Sequence, residues 1–301
     1  MEVIHNIKEI KNLSLALGFF DGVHLAHEKI IKRAVSEGQK NSLKSAVITF
    51  STSPNSIIRK IEPVYLTTME EKINLIENLG TDYLFILDFK KLVDIEAKDY
   101  INNVLIKYFS PKIVVTGFNH TFGKNGKGNS ALLKKINLFN YIEIPMIKID
   151  NEQVSSTNIK NKITNGNIEE ANKMLGRNFS ITGKIVKGNQ IARTLGYKTA
   201  NIIKDKNIVT PKYGVYFGYG EIDGKKYKAL INFGIRPSVD KFLKETLEVH
   251  LFNFDEDIYG KNLKVEFVKR IREEKKFNSL EELKKQIDKD YNLIKNAICN
   301  F

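Results

Sequence analysis

The sequence has no tryptophan and a single cysteine, Cys299, among 301 residues. One thiol excludes an internal disulfide and any zinc site assembled from several cysteines. Histidine is sparse too, with 5 residues, two of them three apart at His24 and His27. No apolar run approaches the roughly 18 residues needed to span a bilayer as a helix. The stretch before His24 mixes acidic and polar residues with one short apolar segment and carries no small-residue cleavage site. It reads as a strand and turn, not as a secretory leader, and a cytoplasmic location is expected.

What is present is an ordinary globular mixture. Hydrophobic residues make up 42% of the chain, including 18 Phe and 12 Tyr, which supplies a core and excludes disorder as the main state. At this length two domains are expected. The 48 basic and 35 acidic residues leave a formal charge of +13, which suits nucleic acid, an anionic membrane or phosphate-bearing small molecules. The basic residues are spread along the chain (Lys11, Lys29, Lys72, Lys134, Lys204, Lys285) without a dense block. A solvated surface therefore explains them better than a nucleic-acid stripe. Neither a nucleic-acid nor a membrane partner is expected, and the oligomeric state is not legible.

Two halves follow different grammars. Up to about Gly176, short apolar runs alternate with amphipathic stretches: strands at Leu13–Leu17, Ser45–Phe50, Tyr83–Leu87, Ile113–Thr116 and Ile142–Ile149, and helices over Glu28–Glu37, Met69–Leu79 and Ala97–Phe109. Strands joined through helices of this length form a parallel sheet, whose ligands sit outside the carboxyl ends of the strands. After Gly176 the strand-like runs Ile181–Val186, Gly214–Ile222, Tyr227–Phe233, Leu247–Phe252 and Leu263–Ile271 stand mostly too close for intervening helices. Asp223-Gly224 is a hairpin turn signal, and a helix from Leu280 to about Ile298 starts with Ser279 and Glu282 as a capping pair. The second half reads as an antiparallel barrel with a C-terminal helix. The composition boundary falls at Arg177–Ser180, giving domains 1–178 and 179–301.

Chemistry-bearing residues cluster at strand ends. Gly18-Phe19-Phe20-Asp21-Gly22-Val23-His24-Leu25-Ala26-His27 follows the first strand and opens the first helix. Gly18 and Gly22 allow a tight turn close to a ligand, and His24 and His27 share one face of a helical first turn, where free N–H groups seat phosphate. On spacing alone, two rings that cap and pack the helix fit equally well. Gly117-Phe118-Asn119-His120-Thr121-Phe122-Gly123 follows another strand and runs into Lys124-Asn125-Gly126-Lys127-Gly128, a loop able to cover phosphates. Ser155-Ser156-Thr157-Asn158-Ile159-Lys160 combines hydroxyls with a lysine at a helix start, which suits phosphate oxygens or an ordinary N-cap.

The second half has its own set. Gly183 to Gly188 leads to Arg193-Thr194-Leu195-Gly196-Tyr197-Lys198-Thr199-Ala200-Asn201. Thr199 and Asn201 on extended backbone put two oxygen donors on one side, fit for Mg²⁺ or for a hydroxyl–amide ladder on a wet barrel face. Asn232-Phe233-Gly234-Ile235-Arg236-Pro237-Ser238 is a strand ending in a stiff basic turn. Glu248-Val249-His250 then sets a carboxylate and an imidazole on one strand face, where a carboxylate reaching a substrate hydroxyl acts as general base. A surface charge and a packed ring are the plainer alternatives.

Taken together, in this order, these segments resemble the bifunctional bacterial riboflavin kinase/FAD synthetase family over nearly the whole chain. The resemblance implies a Rossmann-like α/β parallel-sheet nucleotidyltransferase domain followed by an antiparallel β-barrel flavokinase domain with a C-terminal helix. It implies ATP as co-substrate, Mg²⁺ at Thr199 and Asn201, and riboflavin, FMN and FAD as substrates and products. His24 and His27, with Gly18, Asp21 and Gly22 in their loop, are expected to hold ATP phosphates. Asn119 is expected by the nucleotide and flavin phosphates, and Ser156, Thr157 and Lys160 on the leaving pyrophosphate. In the barrel, Gly188 is expected over phosphates, Glu248 as the base on the ribityl 5′-hydroxyl, and Arg236 and Arg272 at the flavin. The chain departs from the family pattern at Ala26, where the family has glycine, at Thr121 and Lys160, where arginine is usual, at Ala192, where it has glycine, and at Lys198, where it has proline. Two rival readings are a flavokinase whose first domain has lost or changed its transfer activity, and a basic RNA-binding protein.

Overall fold

The computed structural model describes residues 1–187, 197–237 and 243–296. The chain divides into two compact units, Met1–Ser156 and Thr157–Phe301.

The first unit is built on a six-stranded parallel sheet of β1 (Glu2–Ile4), β2 (Leu13–Leu17), β3 (Lys44–Phe50), β4 (Tyr83–Leu87), β5 (Ile113–Gly117) and β8 (Asn140–Ile144). Their order is β1-β4-β3-β2-β5-β8. Two short hairpins, β6 (Thr121–Phe122) with β7 (Gly128–Asn129) and β9 (Lys148–Ile149) with β10 (Glu152–Gln153), lie outside it. Side chains of successive strand residues leave on opposite faces, and both faces are covered. Leu13, Leu15 and Leu17 join Phe85, Leu105 and Phe109 in one core, while Ala16, Val47 and Leu84 join Ile31 and Ala34 in the other.

Helix α1 (Leu25–Lys40) connects β2 to β3 and buries Ile30, Ile31, Ala34 and Val35, the stripe expected from the spacing. The buried Ser14 hydroxyl donates to the Ala34 carbonyl at 2.7 Å, tying α1 to β2. Helix α2 (Pro54–Arg59) follows β3, and α3 (Met69–Glu77) begins with a capping box between Thr68 and Glu71. The turn α4 (Ala97–Asp99) runs directly into a wider π-type helix over Tyr100–Phe109, and α5 (Ser130–Lys134) follows the β6–β7 hairpin. The strand expected over Ile142–Ile149 is two strands: β8 stops at Ile144 because Pro145 has no N–H for the ladder.

In the second unit, β11 (Phe179–Val186), β12 (Ala200–Lys204), β13 (Gly214–Ile222), β14 (Lys225–Pro237), β15 (Leu243–Leu251) and β16 (Asn262–Arg272) close into an antiparallel barrel in the order β11-β12-β15-β14-β13-β16. Closure removes the exposed edges that an open sheet of this size presents. The β13–β14 hairpin turns at Asp223 and Gly224, both with positive φ (51° and 75°), as the residue pair suggests. A register shift between Val215 and Tyr216 on the β16 side bends β13, so both residues are buried.

Helix α6 (Ser156–Asn165) precedes α7 (Ile168–Leu175), which packs on β11 and β16. That packing places the compact division at Ser156/Thr157, ahead of the composition boundary at Arg177–Ser180. The last helix, α8 (Leu280–Asn296), opens with Ser279 capping Glu282 as expected, the Glu282 N–H donating to Oγ at 3.2 Å.

Asn172 on α7 is bonded at both ends of its amide. Its Oδ1 accepts from the Phe179 N–H at 2.7 Å and its Nδ2 donates to the Phe267 carbonyl at 2.9 Å, joining α7 to two barrel strands. Asn172→Ala should destabilise the second unit by about 1–3 kcal/mol. Denaturant unfolding followed by tyrosine fluorescence measures this; an unchanged midpoint would show that the clamp contributes nothing.

Candidate active site

The sheet order reverses direction at β2, whose neighbours β3 and β5 lie on either side of it. Such a switch point leaves a crevice at the strand's carboxyl end, and the Gly18–His27 segment occupies it. A Cβ on Gly18 would lie 2.8 Å from the Phe20 ring, and one on Gly22, where φ is +78°, would lie 2.6 Å from Leu66. Both glycines are therefore required by packing and backbone geometry. Asp21 is 3% exposed, and its Oδ1 accepts from the Leu66 N–H at 2.9 Å.

His24 is the N-cap of α1: its Nδ1 accepts from the His27 N–H at 3.3 Å. An imidazole accepting at Nδ1 carries its proton on Nε2, which is then a donor. The His24 and His27 rings stack with centroids 3.5 Å apart and planes 17° apart, and the Phe20 ring meets His27 edge-on at 5.3 Å. Burial, with the Lys72 ammonium nearby, holds the His27 pKa well below the usual histidine value, so the ring is neutral at neutral pH. The shared face expected from the spacing is thus present as a stacked pair at a helix N-terminus.

Ser156 donates from Oγ to the Asp21 carbonyl at 3.0 Å, fixing the start of α6 to this loop. Thr157 and Lys160 follow within α6. Asn119 is exposed on the loop after β5. The structure therefore gathers Gly18, Asp21, Gly22, His24, His27 and Ser156 into one bonded neighbourhood.

Beside it lies a cavity that sequence patterning does not reveal. Gly18 just after β2, Phe50 at the end of β3, Ile58 on α2, Tyr100, His120 and Phe122 are among the residues lining it. They come from five separate segments and share no local spacing; the hint available was the density of aromatic residues near strand ends. A mostly apolar, aromatic-walled cavity next to a phosphate-type seat suits a flat heteroaromatic ring that carries a phosphate.

In the barrel, register makes the second constellation. Asn201 on β12 and Asn232 on β14 lie directly opposite Glu248 on β15. Opposed residues share a face, so the carboxylate stands between two amides. The next register row, Ala200, Val249 and Ile231, is buried in the barrel interior, which puts Glu248 on the outer face. Glu248 is nevertheless 9% exposed, so it is not the solvated surface charge that its position on an outer face would suggest. In the sequence Asn232 is only part of a strand, because its partnership with Glu248 depends on pairing.

Thr199 lines a cavity of about 210 Å³ with Lys198, Asp255 and Tyr259. Lys198, the residue that departs from the family's proline, forms an ion pair with Asp255 there. His250 Nδ1 lies 2.7 Å from the Lys198 carbonyl and so donates to it, and the ring packs on Tyr197 and Tyr291. It matches the packed-imidazole alternative. Arg272 is engaged with the buried Asp290 of α8, Nε at 2.9 Å and the terminal nitrogen at 2.8 Å. Gly188 and the Arg236 side chain lie outside the described residues.

Comparison with known proteins gives the same two-part division. The FAD synthetase family matches residues 6–158 and the riboflavin kinase family matches residues 175–298. A bifunctional riboflavin kinase/FMN adenylyltransferase of Buchnera aphidicola from Acyrthosiphon pisum is 40% identical over 295 residues, covering 95% of this chain and 94% of its own. The protein of the same description from Bacillus subtilis is 37% identical, covering 95% and 93%. A crystal structure described as a macrolide-efflux protein of Streptococcus pneumoniae superposes with a TM-score of 0.89 at 31% identity, over 98% of this chain and 99% of that one. Among the described residues no helix is long and apolar enough to cross a membrane. With paired histidines at the switch point of a parallel sheet, a carboxylate set between amides on a closed barrel, and relatives matching both halves in one chain, this protein belongs to the bifunctional riboflavin kinase/FMN adenylyltransferase family.

Proposed function

We infer that the chain phosphorylates riboflavin to FMN with ATP and then transfers AMP from a second ATP to FMN, releasing pyrophosphate and forming FAD. The observation that carries this reading is the coexistence, in one chain, of a stacked histidine pair at a helix N-terminus and a sequestered carboxylate on a barrel. The division of labour is proposed to follow the sequence boundary, with transfer in residues 1–178 and the kinase in 179–301.

In the first half, the FMN phosphate is already an anionic nucleophile, so its attack on the α-phosphorus of ATP needs alignment and charge stabilisation more than proton removal. His24 offers Nε2–H as a donor, and the N-terminus of α1 adds its dipole. Because His27 is held neutral by burial, its contribution is packing and hydrogen bonding, not fixed charge. Asn119, Ser156, Thr157 and Lys160 are proposed to orient phosphate oxygens. The aromatic-walled cavity at Gly18 and Phe122 is proposed as the seat of the isoalloxazine ring.

In the barrel, Glu248 is proposed to take the proton of the ribityl 5′-hydroxyl as its oxygen attacks the γ-phosphorus and ADP leaves. Asn201 and Asn232, in register on either side, are proposed to orient the carboxylate. The Thr199 hydroxyl and Asn201 amide are hard oxygen donors, which fit Mg²⁺ held jointly with ATP phosphates. Among the described residues no group of three or more His, Cys, Asp or Glu that could hold a metal ion is found. When bound, Mg²⁺ neutralises phosphate charge. Gly188 is proposed over the same phosphates, and the enzyme is proposed to act in the cytoplasm on small molecules.

Chromatography of flavins after incubation with riboflavin, ATP and Mg²⁺ tests the reading: FMN should appear first and FAD second. Glu248→Gln should slow FMN formation by about 100-fold or more while FAD still forms from supplied FMN. Normal kinase activity in that variant would remove Glu248 as the base. The double change His24→Ala with His27→Ala should do the converse, with FMN accumulating and FAD formation falling about 100-fold or more. Undiminished FAD synthesis would sink the assignment of the first half.

A further inference from the structure

We propose that His120 reads the polar edge of the flavin ring during adenylyl transfer, with its buried Nε2 hydrogen-bonding to a ring nitrogen or carbonyl oxygen of FMN. The proposal rests on the reading that the cavity beside Gly18 takes the isoalloxazine. It makes His120, and not only the aromatic walls, a determinant of which heteroaromatic phosphate the site accepts.

The cavity wall holds an imbalance. His120 lines a cavity whose other walls include Leu17, Ile48, Phe50, Leu92 and Phe122. Its Nε2 is buried and has no hydrogen-bond partner among the described residues. A buried polar atom without a partner costs free energy, and native proteins retain such atoms chiefly where a ligand or a function supplies the missing bond. An apolar side chain would fill the same wall without that cost.

The ring is also held in place. The His120 N–H donates to the Gly117 carbonyl at 3.1 Å, which fixes the turn that leaves β5. Its imidazole stacks on Phe122, centroids 5.8 Å apart and planes 26° apart. Burial depresses the His120 pKa to about 4, so the imidazole is neutral at neutral pH and bonds either as donor or as acceptor without adding charge. A flat ring entering the cavity presents carbonyl oxygens and ring nitrogens at its edge, the groups that such a nitrogen can satisfy. A site built to hydrogen-bond a substrate group also rejects analogues that lack it, because the site's own polar atom is then left unpaired.

Steady-state FAD formation by the full-length protein tests this, with FMN and ATP varied in turn. His120→Phe keeps an aromatic ring and removes the nitrogen; the KM for FMN should rise about tenfold while the KM for ATP and kcat stay within twofold. His120→Gln, which restores a polar nitrogen near the Nε2 position, should bring the KM for FMN back to within about threefold of the native value. Without ligand, the thermal midpoint of His120→Phe should equal or exceed the native one, since the unpaired atom is gone; a purely structural histidine would give a loss. A KM for FMN within twofold of native in His120→Phe overturns the proposal. Ile58→Glu, at an exposed position on the cavity rim (58% exposed), tests the underlying reading separately. If it leaves the KM for FMN unchanged, the cavity is not the flavin seat and the proposal falls with it. If Ile58→Glu raises that KM and His120→Phe does not, the cavity reading stands and the role of His120 is refuted.

Discussion

The carbonyl oxygen of Phe19 is the point from which the loop of the first unit's candidate site is held. It accepts from Thr49 Oγ1 at 2.7 Å and from Lys72 Nζ at 3.0 Å, and the same ammonium stands 4.0 Å over the Phe19 ring. Thr49 belongs to β3 and Lys72 to α3, so one backbone atom ties the β2 loop to both neighbours. Lys72 is 3% exposed, and a cation buried to that degree is kept only where polar partners receive it. With Phe19 held, Phe20 turns into the core with positive φ, Asp21 reaches Leu66, and His24 arrives at the end of α1 able to cap it. The Lys72 charge also helps to keep His27 neutral. The proposed phosphate seat follows from this loop path, because free helix N–H groups form a site only when the preceding chain leaves them accessible.

The barrel solves a different problem by register. Closure fixes each strand between two neighbours, so a single carboxylate on β15 is flanked from β12 and β14 at the same height. A slip of one residue would turn Glu248 into the apolar interior and bring Val249 outward. The interior row of Ala200, Val249 and Ile231 prevents that slip, so the packing that stabilises the barrel also aims its carboxylate. Arg272 and Asp290 attach α8 to the end of β16 in the same structural sense. A buried ion pair of this kind is costly to break from one side, because the remaining charge is left without its partner.

The candidate site neighbourhoods were legible in the sequence to the extent that they are local. Gly18 to His27 lies in one segment whose turn and helix start have residue signatures, and the histidine spacing foretold a shared face. Glu248 shares a strand face with His250 by the two-residue period alone. Asn232 carries no such signal, since its partnership exists only across a ladder, and neither does the cavity at His120, since its walls come from segments as distant as Gly18, Ile58 and Phe122. His250 illustrates the reverse: a histidine two residues from the candidate base looked chemical, yet its ring is bonded to the Lys198 carbonyl and packed between tyrosines.

Periodicity, turn residues and strand-end motifs by themselves determined that a parallel α/β half precedes an antiparallel half, because these signals act over a few residues and need no distant partner. Strand order, barrel closure and the cavity walls were decided by tertiary structure alone. Each depends on which surfaces exclude water from one another, and many pairings of the same strands satisfy the local rules equally well.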